Sequence, residues 1–307
     1  MKCASFYDVG LMYELGILFA VLSTMALGSN KLAVRKTLFH LDESFATFVS
    51  ILLTIPVFGI PLLIFGLGTE PLTVQVLLIF ALTGITNYTI GRYFIWKSIA
   101  NIGANRGNIL AASQVVYAVV IAIVVLRQSI DVISGLGVLL VLLGIVIISY
   151  GGNSERNFTP KQVRTGLIYG LIGGLAWGIS QDLMQIGIRA YTNAIAASFF
   201  TYFFSLIGVV PALVIARNQS EKKDIFRMNT NGLILVIIAG LLGSAGQYFR
   251  YLALKIIPVT IVATINGTNP AVTLILSFLL IKDVEYIDSK TILGIVVSIL
   301  GVILVSY

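Results

Sequence analysis

The sequence predicts an all-α integral membrane protein with ten transmembrane helices, arranged as two inverted five-helix repeats. Three observations lead to this fold class. Of the 307 residues, 58% are hydrophobic and only 11% are charged, whereas a soluble domain is about 25% charged. The apolar residues come in runs of roughly 20, which is the length of a membrane-spanning helix. The two halves of the chain also carry matching residues at a nearly constant offset.

The composition excludes several function classes. So few polar residues cannot cover the exterior of a soluble fold, which excludes a soluble enzyme, a nucleic-acid-binding protein and a disordered chain. One cysteine, Cys3, and one histidine, His40, are too few for a metal site built from those residues. The sequence has no Gly-x-x-x-x-Gly-Lys-Ser/Thr phosphate-binding loop and no kinase motif. We therefore expect a protein that is not an enzyme, has no cofactor and does not bind nucleic acid.

Charged residues and clusters of glycine or proline bound the ten apolar runs. A β-barrel strand would alternate polar and apolar residues over about ten positions, whereas these runs are longer and continuously apolar. The polar connection from Gly151 to Thr165 divides the chain into a first repeat, residues 1–150, and a second, residues 151–307. The predicted helices lie near 12–37, 45–67, 73–98, 104–126, 131–150, 166–189, 194–216, 232–255, 258–281 and 289–306.

The repeat is visible in matched residues of the two halves, of which tyrosine and phenylalanine match by chance less often than glycine does. An offset of 155 places Gly91-Arg92-Tyr93-Phe94 on Gly246-Gln247-Tyr248-Phe249, and an offset of 150 places Gly16 and Gly28 on Gly166 and Gly178. Because each repeat has an odd number of helices, the second enters the membrane in the opposite direction. Inverted repeats of this kind are typical of secondary transporters.

Two segments resemble the drug/metabolite transporter superfamily, and its EamA-type branch in particular. They are Ala176-Trp177-Gly178 in the first helix of a repeat, and Tyr251-Leu252-Ala253-Leu254-Lys255-Ile256-Ile257-Pro258 ahead of the fourth. The resemblance covers essentially the whole chain. It implies a ten-helix carrier of amino acids, sugars, nucleotide sugars or drugs, driven by protons or by exchange. The first repeat departs from the pattern at Leu27 and Gly103, which leaves the substrate open.

Charged residues inside the predicted helices are the first candidates for function, because a charge in lipid costs several kcal/mol unless it faces a cavity or a partner. Lys31, Arg92, Arg106, Asp182 and Arg250 occupy such positions. Arg106 lies near enough to a helix end to reach the membrane surface. Asp182 either forms an ion pair with Arg250 or accepts a coupling proton. Instead of lining a binding site, Arg92 and Arg250 could reach the lipid headgroups or pair with backbone carbonyls.

The offset between the repeats makes the candidate cavity asymmetric. Lys31 corresponds to Gln181 and Arg92 to Gln247, so cations in one repeat face amides in the other. This arrangement favours a ligand that is anionic at one end and polar at the other. The segment Asn266-Gly267-Thr268-Asn269-Pro270 lies in mid-helix, where glycine and proline loosen the backbone around a cavity. The candidate substrate-binding residues are Lys31, Asn87, Arg92, Tyr93, Trp177, Gln181, Gln185, Gln247, Tyr248, Asn266 and Asn269.

These residues predict a secondary transporter that moves a small polar or anionic metabolite, of the amino-acid or organic-acid type, across the cytoplasmic membrane. A sugar-phosphate or nucleotide-sugar carrier is the second possibility, with Lys31 and Arg92 on the phosphate. A flippase subunit or a membrane scaffold is the alternative from another class. The expected partners are the solute, the lipid bilayer and a coupling proton, for a monomer or homodimer.

The membrane orientation has two readings. The helix connections on one side carry thirteen Lys and Arg residues and those on the other side carry four. The positive-inside rule then places both termini outside the cell. The family resemblance implies that both termini are cytoplasmic, so both orientations stay open.

Overall fold

The computed structural model describes residues 4–37, 40–41, 43–150, 159–219, 230–280 and 289–306. Within these ranges the chain forms twelve α-helices and one π-helical turn, π1, and it forms no strand. The elements are α1 (Ala4–Thr37), α2 (Glu43–Phe65), α3 (Val74–Gly84), π1 (Ile85–Gly91), α4 (Arg92–Ala112), α5 (Gln114–Val124), α6 (Val132–Tyr150), α7 (Pro160–Ala190), α8 (Ala194–Gln219), α9 (Thr230–Ile256), α10 (Val259–Gly267), α11 (Asn269–Leu280) and α12 (Ser289–Ser306).

The distribution of polar and apolar side chains is that of a membrane protein. Leu63 is 88% exposed and Val132 is 80% exposed, whereas Gln181 and Gln247 are 2% and 1% exposed. A soluble fold would reverse this order. Five segments are long and apolar enough to cross a membrane: Leu11–Val34, Phe45–Phe65, Val74–Ser98, Ala194–Pro211 and Thr230–Ile256. Three shorter apolar helices accompany them: Leu110–Val124, Val132–Ile147 and Ile292–Leu304.

The helix count differs from the ten that the sequence predicts, because three predicted helices are interrupted and α4 joins parts of the third and fourth. The third predicted helix contains π1, and the fourth and ninth break at Ser113 and Thr268. At both breaks the backbone N–H donates to the carbonyl three residues earlier at 3.1 Å. The hydroxyl donates to the same carbonyl, at 2.6 Å from Ser113 and 2.7 Å from Thr268. These two residues are 155 positions apart, so the offset of the repeat also relates the two breaks.

Helix α4 runs through the connection predicted near residues 99–103, yet the chain reverses direction there. A methyl group built on Gly170 of α7 would lie 2.4 Å from the Leu110 side chain and 2.8 Å from the Ser98 hydroxyl. A straight helix would separate residues 98 and 110 by about 18 Å. Because both side chains meet one glycine, they lie side by side, and the chain folds back between them.

The first helix of each half packs against the other half in the same way. Helix α1 packs along α9 and reaches α11, and α7 packs along α4 and α5. Glycines at the crossings allow this approach, since a methyl group on any of them would lie 2.5–2.7 Å from the facing side chain. The matched pairs are Gly16 with Ile257, Gly166 with Ile102, Gly28 with Val272, and Gly178 with Tyr117.

Helix α7 begins six residues before the start expected from its apolar run. Thr159 and Gln162 form a capping box, in which the Thr159 hydroxyl accepts the Gln162 N–H and the Gln162 side chain accepts the Thr159 N–H. Pro160 occupies the first turn, where its missing N–H costs nothing. The cap therefore extends the helix through the polar residues Lys161 and Arg164.

Candidate functional site

Two tyrosines and an arginine form the centre of the candidate site. The rings of Tyr88 on π1 and Tyr202 on α8 are stacked, with centroids 4.6 Å apart. The Arg92 guanidinium carbon lies 5.7 Å from the centroid of the Tyr88 ring. A guanidinium at this distance from an aromatic ring is attracted to it by a cation–π interaction. The contact between Tyr88 and Tyr202 joins the first half of the chain to α8 of the second.

Two more cations face this centre. The Arg250 guanidinium on α9 lies near Tyr88, Tyr202 and Tyr251, and its buried Nε has no hydrogen-bond partner. The charge of Lys31 on α1 repels that of Arg250. Lys31 is exposed on α1. We call Lys31, Tyr88, Arg92, Tyr202 and Arg250 the cationic cluster.

The π-helical turn positions Tyr88 and Arg92 within this cluster. A π-helix leaves backbone carbonyls differently placed from those of an α-helix, and the Asn87 carbonyl accepts a hydrogen bond from Trp177 Nε1 at 2.9 Å. The Trp177 ring also lies directly over Gly91, where a methyl group would come within 2.2 Å of it. Trp177 therefore holds the turn between Asn87 and Gly91.

No carboxylate balances the cationic cluster among the residues that the structure describes. Asp182 on α7 is 2% exposed, and neither of its carboxylate oxygens has a hydrogen-bond partner. It is therefore not hydrogen-bonded to Arg250, although the sequence makes that ion pair one of two possibilities. No charged side chain of the described residues acts on Asp182, whose carboxyl group is held apart from the cluster.

The loosened segment between α10 and α11 carries a second group of polar residues. Asn266 Oδ1 accepts hydrogen bonds from Thr24 at 3.0 Å and from Ser23 at 3.3 Å. Asn266 Nδ2 and Asn269 Oδ1 are buried without partners. Asn266 therefore joins α1 to α10, while Asn266 Nδ2 is left as a free donor and Asn269 Oδ1 as a free acceptor inside the bundle.

The three predicted glutamines have different surroundings. Gln185 is fully engaged: its Nε2 donates to Ile257 O at 2.9 Å and Leu254 O at 3.3 Å, and its Oε1 accepts from Val259 N at 3.2 Å and from the Gln128 side chain. It therefore clamps the junction of α9 and α10.

The other two glutamines are less engaged. Gln181 makes one 3.5 Å contact with Gln114 and keeps a buried oxygen without a partner. Gln247 Nε2 lies 3.6 Å from the sulfur of Met184, and the Gln247 side chain also interacts with the hydroxyl of Tyr251.

The structure separates the two tyrosines that the repeat relates. Tyr93 is 52% exposed, with the Lys97 ammonium 5.5 Å from its ring centroid, so it does not join the cationic cluster. Tyr248 packs between Phe58 and Phe249, at 6.3 and 6.2 Å between ring centroids. The side chain of Arg106, the remaining sequence candidate, lies outside the described residues, as does Cys3.

Sequence reasoning missed the tyrosines of the cluster. Tyr88 lies four residues before Arg92, the spacing that brings two side chains to one helix face, so this signal was available. Tyr202 has no such signal, because only the packing of α8 against π1 brings it to Tyr88.

A network at one end of the bundle ties the loop before α3 to the turn after α7. Glu70 accepts from the backbone N–H of Thr192 at 2.6 Å and from its hydroxyl at 2.7 Å. Lys255 Nζ donates to the Thr192 carbonyl at 3.2 Å. The Tyr191 hydroxyl donates to the Leu67 carbonyl, and Asn193 Nδ2 donates to the same carbonyl at 3.2 Å. We call these residues, 67, 70, 191–193 and 255, the end latch.

Comparisons with known proteins agree with this architecture. An "Uncharacterized transporter" from Clostridium kluyveri is 22% identical over 226 residues, which cover 73% of this chain and 70% of the relative. A crystal structure of a protein with 14% identity superimposes with a TM-score of 0.72 over 97% of this chain and 96% of that chain, which bears on the fold alone. The model of the EamA-like transporter family matches twice, over residues 14–150 and 164–307. The chain is therefore a member of the EamA-like transporter family, within the drug/metabolite transporter superfamily.

Proposed function

We propose that this protein is a secondary transporter that carries a small polar or anionic metabolite, of the amino-acid or organic-acid type, across the cytoplasmic membrane. The observation that carries the proposal is the cationic cluster. Arg92 and Lys31 come from the first half of the chain, and Arg250 comes from the second. A solute bound to all three would touch both halves, as alternating access requires.

We further propose that ten membrane spans form two inverted five-helix repeats, residues 1–150 and 151–307. The matched glycine crossings of α1 and α7 support this arrangement, as do the paired breaks at Ser113 and Thr268. Each crossing joins the first helix of one half to helices of the other half, and the same pair of local hydrogen bonds forms at each break. Exchanging the conformations of two such repeats would exchange the side to which the site opens.

Asp182 is our candidate for proton coupling. A carboxylate that is buried without a partner is expensive, so the group is stable there when it carries a proton. Its neighbour on α7, Gly178, packs against Tyr117 of α5, which belongs to the other half. Deprotonation would therefore disfavour the packing of α7 and bias the transport cycle. Asp182→Asn is expected to abolish gradient-driven uptake but to spare solute exchange, and equal loss of both would contradict this role.

Purified protein in liposomes tests the proposed function. We expect counterflow of a labelled organic acid into vesicles loaded with the same unlabelled acid, with saturation at high concentration. A flippase subunit or a membrane scaffold would give no flux of a soluble solute, and flux confined to sugar phosphates or nucleotide sugars would favour the second carrier class. Absence of flux for every solute would overturn the transport proposal.

A further inference from the structure

We infer that the cationic cluster selects a dianion, a solute with two negative charges on oxygen and no ammonium group. Dicarboxylates and phosphate monoesters share this chemistry. The inference rests on the proposed transport function and narrows its substrate class, because it excludes the zwitterionic amino acids. It stands on the charges and contacts of the cluster.

The count of charges is the first step. Lys31, Arg92 and Arg250 bring three positive charges, and within the described residues no carboxylate pairs with any of them. Lys31 and Arg250 already repel each other. A zwitterion would leave the net charge unchanged and would add an ammonium group beside three cations. A dianion would lower the net charge from three to one, and the gain is large because charges interact strongly away from water.

The supply of hydrogen-bond donors is the second step. Two guanidinium groups offer forked donors that match carboxylate and phosphate oxygens. The buried Nε of Arg250 has no partner, so it remains free to bind a ligand. The Arg92 guanidinium lies 5.7 Å from the centroid of the Tyr88 ring, and both arginines lie near the hydroxyls of Tyr88 and Tyr202.

The shortage of acceptors is the third step. An ammonium group needs carbonyl or carboxylate oxygens around it. The Asn87 carbonyl, on the turn that carries Tyr88, already accepts from Trp177. The free carboxylate of Asp182 is not acted on by any cation of the cluster. The five side chains of the cationic cluster carry no carboxylate or carbonyl oxygen that an ammonium group could bind.

Binding to the purified full-length protein tests the inference with four probes of similar size. Succinate and inorganic phosphate, at a pH where phosphate is doubly charged, represent the two sources of dianion. Lactate is the monoanion and alanine the zwitterion. We expect at least one dianion to bind roughly tenfold more tightly than lactate, since one added charge-assisted contact is worth about that factor, and we expect alanine not to compete. The tighter of the two dianions identifies the source.

Neutral variants test whether the dianion binds at the cationic cluster. Lys31→Gln, Arg92→Gln and Arg250→Gln should each weaken binding of the dianion by about tenfold or more. Arg92→Gln has the additional merit that glutamine is the residue at the matching position, Gln247. Lys97→Gln is the matched control, because Lys97 is exposed and lies over Tyr93 outside the cluster. It should bind the dianion as the wild-type protein does.

The outcomes separate the two proposals. Equal or tighter binding of alanine to the wild-type protein would overturn the dianion inference, whether or not the variants fold. So would unchanged dianion binding in all three cluster variants. Transport of alanine in liposomes would then leave the transport function standing. Conversely, a dianion that binds through the cluster but never crosses the membrane would overturn the transport function and keep the inference about the site.

Discussion

Glu70 holds Thr192 with both of its carboxylate oxygens, one on the backbone N–H at 2.6 Å and one on the hydroxyl at 2.7 Å. The two residues are 122 positions apart and belong to different halves of the chain. Lys255 of α9 binds the Thr192 carbonyl from the other side. One end of the bundle is therefore held by the end latch, while Lys31 is exposed along α1.

Weakening the end latch should loosen the turn after α7. In Glu70→Gln the neutral side chain loses the charge that strengthens both hydrogen bonds. We expect the Thr192 amide to exchange with deuterium several-fold faster, measured by mass spectrometry on a peptide that spans residues 190–195. Glu14→Gln is the control, because Glu14 is an exposed carboxylate on α1. Equal exchange in Glu70→Gln and the wild-type protein would show that the contact does not hold the turn.

The end latch should also open in acid. The pKa of Glu70 is lowered, first because the Thr192 backbone N–H donates to its carboxylate, then because the Thr192 hydroxyl does, with a smaller contribution from the Lys255 charge. A lowered pKa means that the latch is complete above the ordinary glutamate pKa of about 4.3 and is lost as the pH falls through the lowered value.

Hydrogen exchange of the Thr192 amide measures this pH dependence directly. The protection factor of Thr192, which corrects for the intrinsic effect of pH on exchange, should be constant above about pH 5 and should fall below pH 4. Burial and the neighbouring charge of Glu70 raise the pKa of Tyr191, so its hydroxyl stays protonated across this range. Glu70→Gln should remove the acid step. A step that persists in this variant would assign it to another group.

The sequence predicts a loosened helix around Thr268 but no irregularity at Ser113, and the reason is local. Gly267 and Pro270 flank Thr268 and loosen the helix, whereas the residues around Ser113 are ordinary helix formers. The two breaks are alike because the fold is repeated, so the offset of 155 residues predicts the second break once the first is known. The residues around Ser113 therefore do not predict a break, and only the correspondence with Thr268 in the other half does.

The sequence likewise predicts only those residues of the candidate site that stand out from their neighbours in the chain. A cation within an apolar run is conspicuous, which is why the sequence indicates Lys31, Arg92 and Arg250 as candidates. Gln185 is equally conspicuous, yet three of its four hydrogen bonds are to backbone groups at the junction of α9 and α10, and the fourth is to the Gln128 side chain. A polar residue in a membrane helix signals that something polar is nearby, and only the packing tells whether that partner is a ligand or a carbonyl.

Gln185→Leu should therefore destabilise the protein rather than change its selectivity. The substitution leaves the Val259 N–H and the Ile257 carbonyl buried without a partner, at about 1–3 kcal/mol each. We expect the free energy of unfolding in detergent to fall by about 3 kcal/mol. Gln181→Leu is the matched control one turn earlier, because Gln181 makes only the 3.5 Å contact with Gln114. Equal loss in both variants would argue against the clamp.

Gly91→Ala should displace the ring that holds π1. The added methyl group would lie 2.2 Å from Trp177 Cδ1, 2.5 Å from its Nε1 and 2.9 Å from the Thr86 carbonyl. The ring must move, and with it the hydrogen bond to Asn87. We expect about 1–3 kcal/mol of destabilisation, the usual cost of overpacking, together with weaker binding of an anionic solute because Tyr88 and Arg92 lie on either side of this contact.

A second glycine supplies the control for this experiment. A methyl group on Gly135 of α6 meets nothing within 4 Å, so Gly135→Ala should gain about 0.5–1 kcal/mol from reduced backbone entropy in the unfolded chain. Thermal unfolding followed by tryptophan fluorescence compares the two variants, and Trp177 itself reports the displacement. If Gly91→Ala unfolds at or above the wild-type temperature and keeps its fluorescence spectrum, Trp177 does not hold the π-helical turn in place.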